Sequence, residues 1–213
     1  TGFSLATKFD VTETLSFGLS QYNQAGVGLN YQGAGGTGAI GGVLNLIGPK
    51  VSLDIDALVF LGRYALSENY SFMLGMKNST IKDATADIFK TAGATTAASV
   101  AGKTASSSVV AIAYEQPDIA LRVEYLYEAD VSFSLDTTGG LNAGTGTTQG
   151  SLPDYQTINF QTGIAADTLA FGSIRMADWK NHQIAIGPQT LAAPTSSFSN
   201  STTYSLGVGR KVS

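Results

Sequence analysis

Cysteine is absent from the 213 residues and histidine occurs once. Without thiolates the chain can build neither a disulfide framework nor a cysteine metal site, and a single histidine predicts no metal-ligating set. Charge is scarce: Asp, Glu, Lys and Arg make up 13%, about half of the roughly 25% usual in soluble domains. Twelve basic residues against sixteen acidic ones give a net charge of −4. The cationic stripe that phosphate contacts require is therefore missing, which excludes nucleic acid as a partner. No run of roughly 18 apolar residues marks a transmembrane helix. Yet 43% of the residues are hydrophobic, too many at low net charge for a disordered chain. The chain opens on Thr1, and no signal-like segment precedes it; the expectation is a processed or excised piece.

What is present is alternation. From Asp118 to Leu135 the odd positions carry Ile119, Leu121, Val123, Tyr125, Tyr127, Val131, Phe133 and Leu135, whereas Arg122, Glu124, Glu128 and Asp130 share the even ones. Charges confined to one parity are the period-2 signature of a strand with one apolar face, here read as one long strand. Val51 to Leu61 repeats the pattern, its odd positions read as the apolar face. Tyr70, Phe72, Leu74 and Met76 stand against Ser71, Gly75, Lys77 and Ser79; Ile158 and Phe160 stand against Thr157 and Asn159; and Tyr204, Leu206 and Val208 stand against Ser205 and Gly207. Val110 to Tyr114 belongs with these, and weaker copies lie at Phe3 to Phe9, Leu15 to Leu19 and Leu169 to Trp179. The total is about nine strands.

The connections alternate as well. Short turns near Val11-Thr12-Glu13, Ser67-Glu68-Asn69, Gln116-Pro117-Asp118 and Ala166-Asp167 separate long Gly-, Ala-, Ser- and Thr-rich stretches: Ala25 to Pro49, Ala84 to Ser107, Asp136 to Pro153 and Asn181 to Ser201. Short and long loops segregated by end are the wiring of an up-and-down outer-membrane barrel. The polar face is rich in Gly, Ser and Thr, as in a wetted lumen. Tyr64, Tyr70 and Tyr114 sit towards strand ends, where membrane barrels carry aromatic girdles. Arg63, sharing parity with Leu61, is read as an outward residue near a turn whose stem snorkels to the headgroups. The predicted fold class is all-β: a transmembrane antiparallel up-and-down β-barrel, here a partial barrel.

Several segments together resemble the FadL/TodX-type outer-membrane transporters. They are Leu66 to Met76, Val110 to Glu115 with Ala120 to Val123 and Tyr127 to Val131, Leu152-Pro153 with Phe160 to Ala165, Phe171 to Arg175 with Asp178-Trp179, and Tyr204 to Gly209. The resemblance implies passive uptake of long-chain fatty acids or other hydrophobic small molecules across a bacterial outer membrane. Lipid and lipopolysaccharide would surround such a barrel. It also implies a barrel of roughly fourteen strands with an N-terminal hatch and a kinked third strand opening sideways. Residues 1–213 would then be part of one barrel domain, with the hatch, first strand and last strands lying outside them.

Enzyme constellations are not found. His182, beside Lys180 and Asn181, reads as a solvated loop histidine, and Gly33 to Gly38 fits a dinucleotide fingerprint without the βαβ unit such a site needs. No cofactor is expected. Ile40, Val43, Leu44, Leu46 and Ile47 crowd one loop, whose apolar patch reads either as loop packing or as a landing groove for acyl chains. Ile88 and Phe89, in a second loop expected to form short helices, would line the other wall. Gly26 and Gly28 read either as an ordinary strand end or as a kink, in position similar to the family's lateral opening. By the same resemblance Lys82 lies near a ligand carboxylate. Arg122 reads as either a ligand contact or, with Glu124, Glu128, Asp130 and Arg175, part of a lumen charge network. The competing functions are a general porin and a structural or adhesive outer-membrane barrel.

Overall fold

The computed structural model describes residues 3–30, 50–91, 94–139, 144–184 and 196–211. Nine strands form a continuous antiparallel meander: β1 (Leu5–Asp10), β2 (Leu15–Asn30), β3 (Lys50–Ala65), β4 (Tyr70–Ile81), β7 (Lys103–Gln116), β8 (Leu121–Glu128), β11 (Tyr155–Ala165), β12 (Thr168–Ala177) and β13 (Ser201–Arg210). The remaining four are two hairpins, β5 (Ala84–Thr91) with β6 (Ala94–Val100), and β9 (Val131–Gly139) with β10 (Gly144–Leu152). That makes a 13-stranded sheet, four strands more than the alternation indicates. Three of the extra strands, β5, β6 and β10, lie in Ala-, Gly- and Thr-rich segments that carry no apolar period. The fourth, β9, is the second half of the stretch read as one long strand, and the segment expected to hold short helices is the β5–β6 hairpin.

The short turns β1–β2, β3–β4, β7–β8 and β11–β12 all fall at one end of the sheet. Their chemistry is local. Thr12 Oγ1 accepts from the Leu15 N–H at 2.9 Å, and Asp167, at φ 54°, supplies the left-handed residue that a tight hairpin needs. At the other end the two hairpins continue their parent strands after a break. Leu152 is followed by Pro153, which has no N–H to continue the ladder. At the other break a side chain on Gly102 would meet the Ile81 carbonyl at 2.7 Å, so glycine is required by the close approach. The hairpins then pair with each other through β6 and β9, and β5 closes back onto Lys50–Ser52 of β3.

Asp118 to Leu135 is accordingly two strands and not one, interrupted at Ala129-Asp130. Its odd residues face outward in β8 but inward in β9, where Val131, Phe133 and Leu135 are buried. With Ile55, Ile81, Ala84, Val100 and Leu152 they form the apolar core beneath the hairpins. Burial of a large aliphatic or Phe side chain contributes about 1.5–3 kcal/mol relative to leaving it exposed, which is what folds these hairpins down onto the rim.

Below that level the faces are those of a membrane wall. Leu58, Phe60, Phe72, Leu74, Met76, Ile112, Val123, Tyr125, Leu206 and Val208 are exposed on one side, while Ser71, Lys77, Ser79 and Glu128 are buried on the other. Tyr64, Tyr70 and Tyr114 gather at the short-turn end, the last two with rings 5.1 Å apart. In β3 the expected face is reversed. Ile55, Ala57 and Val59 point inward, because Val59 is in register with Lys77; the middle of this strand is apolar on both faces and only its partner decides. Arg63 therefore also points inward, where it pairs with Glu115 at 3.4 Å instead of snorkelling. Among the described residues β1 pairs only with β2 and β13 only with β12, so the sheet is open.

Candidate functional site

Under the hairpins lies an apolar cavity of about 340 Å3. β2 and β3 contribute Ala25, Gly26, Leu53 and Ile55; the hairpins and their roots contribute Ile81, Ala84, Val100, Phe133, Leu135, Gly150 and Leu152; the segment between β12 and β13 contributes Trp179, Ile184 and Phe198. Trp179 packs edge-on against Phe198 on one side and Tyr155 on the other, with ring centroids 5.5 Å and 6.4 Å away.

Tyr155 is the boundary between apolar and charged interior. Its ring lies under the Arg175 guanidinium at 4.1 Å and the Lys77 ammonium at 5.4 Å. Both cations converge on Glu128: Lys77 Nζ donates to Oε1 at 3.1 Å, and Arg175 Nη2 donates to Oε2 at 3.3 Å. The Tyr22 hydroxyl also donates to Oε1 at 3.4 Å. Lys77 is wholly buried and Glu128 is 7% exposed. Two cations and one anion leave a local excess of positive charge below an apolar chamber. Beyond this cluster a second cavity, also of about 340 Å3, is lined by Ser20, Tyr22, Glu128, Thr157, Asn159, Ser173 and Arg175 together with Val59, Leu61, Val109 and Leu126. The interior thus passes from apolar to charged to mixed polar and aliphatic along the wall.

β2 enters the apolar cavity through an irregularity. Its pairing with β3 slips between Asn23 and Ala25, and the extra residue, Gln24, accepts from the Ser79 hydroxyl at 2.7 Å. A bulge of this kind bends the strand and reverses its faces, so Ala25 and Gly26 reach the cavity. A side chain at Gly28 would meet nothing within 4 Å.

The residues singled out from sequence are distributed unevenly around this site. Gly26 lines the cavity. Ile40, Val43, Leu44, Leu46 and Ile47 lie outside the described residues; Ile88 and Phe89 belong to β5. Lys82 stands at the β4–β5 break, outside the cavity lining, with its ammonium on Asp56 at 2.8 Å; that hydrogen bond holds its pKa above the ordinary lysine value. Arg122 lies near the short-turn end, bound to Glu115 and, at 2.6 Å, to Glu124. Asp130 is exposed at the strand break. His182 is half-buried, its Nδ1 2.8 Å from Ser151 Oγ, and is not a free loop residue. Missed altogether were Lys77 as the buried cation, Tyr155 and the Trp179–Phe198 pair. Lys77 carried a signal, as the lone charge in the middle of β4.

A strand-only meander with short turns at one end, an exposed aliphatic belt and a charged interior is the wall of a transmembrane up-and-down β-barrel. Its particular form is that of the FadL and TodX barrels. A Pseudomonas aeruginosa FadL homologue superposes with a TM-score of 0.72 at 13% identity, over 99% of this chain and 56% of that one. The Pseudomonas putida toluene transporter TodX gives 0.62 at 11% identity over 99% of this chain and 63% of its own. CymD, a monoaromatic hydrocarbon channel, gives 0.58 at 11% over 99% and 69%. The chain thus spans little more than half of the first of these structures and about two thirds of the others. No protein-family model and no curated protein matches the sequence.

Proposed function

We propose that this chain is the greater part of an outer-membrane channel that takes up small hydrophobic molecules, with the cavity beneath the hairpins as its capture chamber. The observation that carries the reading is the chamber itself: twelve aliphatic and aromatic residues make its surface almost wholly apolar, although Ser52, Thr85, Thr148, Ser151 and Ser196 share the lining, and its volume falls at the lower end of the roughly 300–1,000 Å3 typical of small-molecule sites. Names of the structural neighbours support the same class of cargo. A porin for polar solutes has no use for such a chamber. Passage would be passive, as the resemblance to these barrels implies.

The cluster under Tyr155 refines the cargo. Entering a charged, polar lumen would cost an apolar molecule its burial, so the cargo leaves sideways past Ala25 and Gly26, where β2 bulges and Gly28 leaves open space. The excess positive charge of Lys77 and Arg175 favours a molecule with a carboxylate at one end, such as a long-chain fatty acid, over a plain hydrocarbon. In this reading Ile40, Val43, Leu44, Leu46 and Ile47 form the outer landing surface and deliver cargo to the chamber. Lys82 is held by Asp56 and Arg122 by Glu115 and Glu124, so neither is assigned to the ligand.

The test is to fill the chamber. A side chain at Gly150 would first meet Ile184 Cγ1 at 3.6 Å, so Gly150→Leu projects into it without striking backbone. In outer-membrane vesicles this variant is expected to lose oleate and toluene uptake while small-sugar permeation stays at the parent level. Undiminished uptake of both hydrophobic probes by a correctly assembled variant refutes the chamber. Loss of toluene uptake with oleate unaffected refutes the preference for a carboxylate.

A further inference from the structure

Asp154, Asp178 and His182 are brought together from two separate parts of the chain. Asp154 lies in the break between β10 and β11, and the other two flank the 3-10 turn Trp179–Asn181 that follows β12. One ligand atom from each lies within 4.8 Å of the others. We propose that these three side chains form a site for a first-row divalent transition-metal ion, with Zn2+ the best fit to one imidazole and two carboxylates.

The arrangement around them supports ligation beyond mere proximity. His182 Nδ1 is engaged by Ser151 Oγ at 2.8 Å, which leaves Nε2 free for a metal. Metal-bound histidines characteristically have their other ring nitrogen held in this way. Asn181 Nδ2 donates to Asp178 Oδ2 at 2.6 Å and leaves the second oxygen available. Neither Asp154 nor Asp178 is in an ion pair among the described residues, although every carboxylate deeper in the lumen has a cation beside it. Two half-buried carboxylates held together without a cation repel each other, and a divalent ion removes that cost.

The consequence is mechanical. Asp154 directly precedes Tyr155 and Asp178 directly precedes Trp179, so the ion would staple the two backbones that carry the edge-on aromatic pair. That pair stands between the apolar chamber and the Lys77–Glu128–Arg175 cluster. Metal occupancy would therefore hold this partition shut. The site rests on its own ligand geometry and stands or falls independently of the cargo.

Trp179 is the only tryptophan in the chain and reports on the site without a label. The full chain, folded in detergent micelles, is titrated with Zn2+ and separately with Co2+, following Trp179 fluorescence and the visible absorption of bound Co2+. The expected result is one saturable equivalent that alters Trp179 emission, lost in His182→Ala and in Asp154→Asn but retained in Asp130→Asn. Ser151→Ala should weaken it by about 10-fold, the effect of removing a group that orients a ligating histidine. Absence of saturable binding overturns the proposal. So does binding that His182→Ala and Asp154→Asn leave intact in variants whose circular dichroism shows the parent β-structure.

Discussion

Replacing Glu128 by Gln removes the one negative charge that serves two cations and changes little else in shape. Lys77 is completely buried and 3.1 Å from that carboxylate, so it would keep at best a neutral amide oxygen and the face of Tyr155, with no counter-charge. Arg175, 40% exposed, can turn towards the lower cavity and rehydrate. Removing one partner of a buried ion pair costs about 3–5 kcal/mol, because the remaining charge stays desolvated without compensation. Glu128→Gln is expected to fall in that range. Lys77→Met should cost less, about 1–3 kcal/mol, since Glu128 retains Arg175 and the Tyr22 hydroxyl. The double variant should cost less than the sum of the two, by about 2 kcal/mol, because no charge remains stranded. The assay is reversible urea unfolding of the protein folded into lipid vesicles, followed by Trp179 fluorescence. If Glu128→Gln changes stability by less than about 0.5 kcal/mol, or if the two substitutions simply add, then Lys77 is not desolvated as argued.

Depth in the bilayer supplies a second expectation. Leu74 is 57% exposed in the middle of β4, so Leu74→Arg should cost about 2–4 kcal/mol, whereas Val123→Arg, close to the short-turn end, should cost about 1 kcal/mol or less; equal effects on vesicle folding would refute the assigned level of the membrane. Gly75→Ala places a methyl 2.9 Å from Leu61 Cα and even closer to the Phe60 carbonyl, so it must open the β3–β4 ladder; unchanged thermal stability in micelles would refute that register. Gly172→Ala meets the Ser205 backbone carbonyl most closely and the Phe160 ring at 2.7 Å, so it should destabilise the β12–β13 ladder, and Phe160→Ala introduced with it should recover only part of the loss, which a double-mutant cycle measures.

How much was legible depended on where partners lie. The parity of β4, β7, β11 and β13 was readable from their middles, where large apolar residues such as Phe72, Leu74 and Met76, Val110 and Ile112, Ile158 and Phe160, and Tyr204, Leu206 and Val208 keep to one face; hydroxyl residues sharing that face, such as Thr80 and Thr202, fall towards the strand ends. Arg63 and the middle of β3 were not readable, since Leu58 to Leu61 is apolar on both sides and the inward face is set by Lys77 across the ladder. In β9 the alternation of Val131, Phe133 and Leu135 was visible, but not that it serves a buried core: period 2 identifies two faces without saying what covers either. The strand break at Ala129-Asp130 left no interruption in the pattern, and Pro153, on the partner strand, was its only outward sign. The apolar chamber is assembled from β2, β3, both hairpins and the segment after β12, so no local stretch contained it.

Alternation and loop length by themselves determined that this chain forms a membrane-type antiparallel wall, because strand period and turn chemistry are properties of neighbouring residues. Which apolar face meets lipid and which encloses a chamber was decided only by tertiary structure. So was the meeting of Lys77, Glu128 and Arg175 over Tyr155, and of Asp154 with His182. Those contacts join residues tens of positions apart, and their energies come from desolvation and pairing that exist only once the strands are in register.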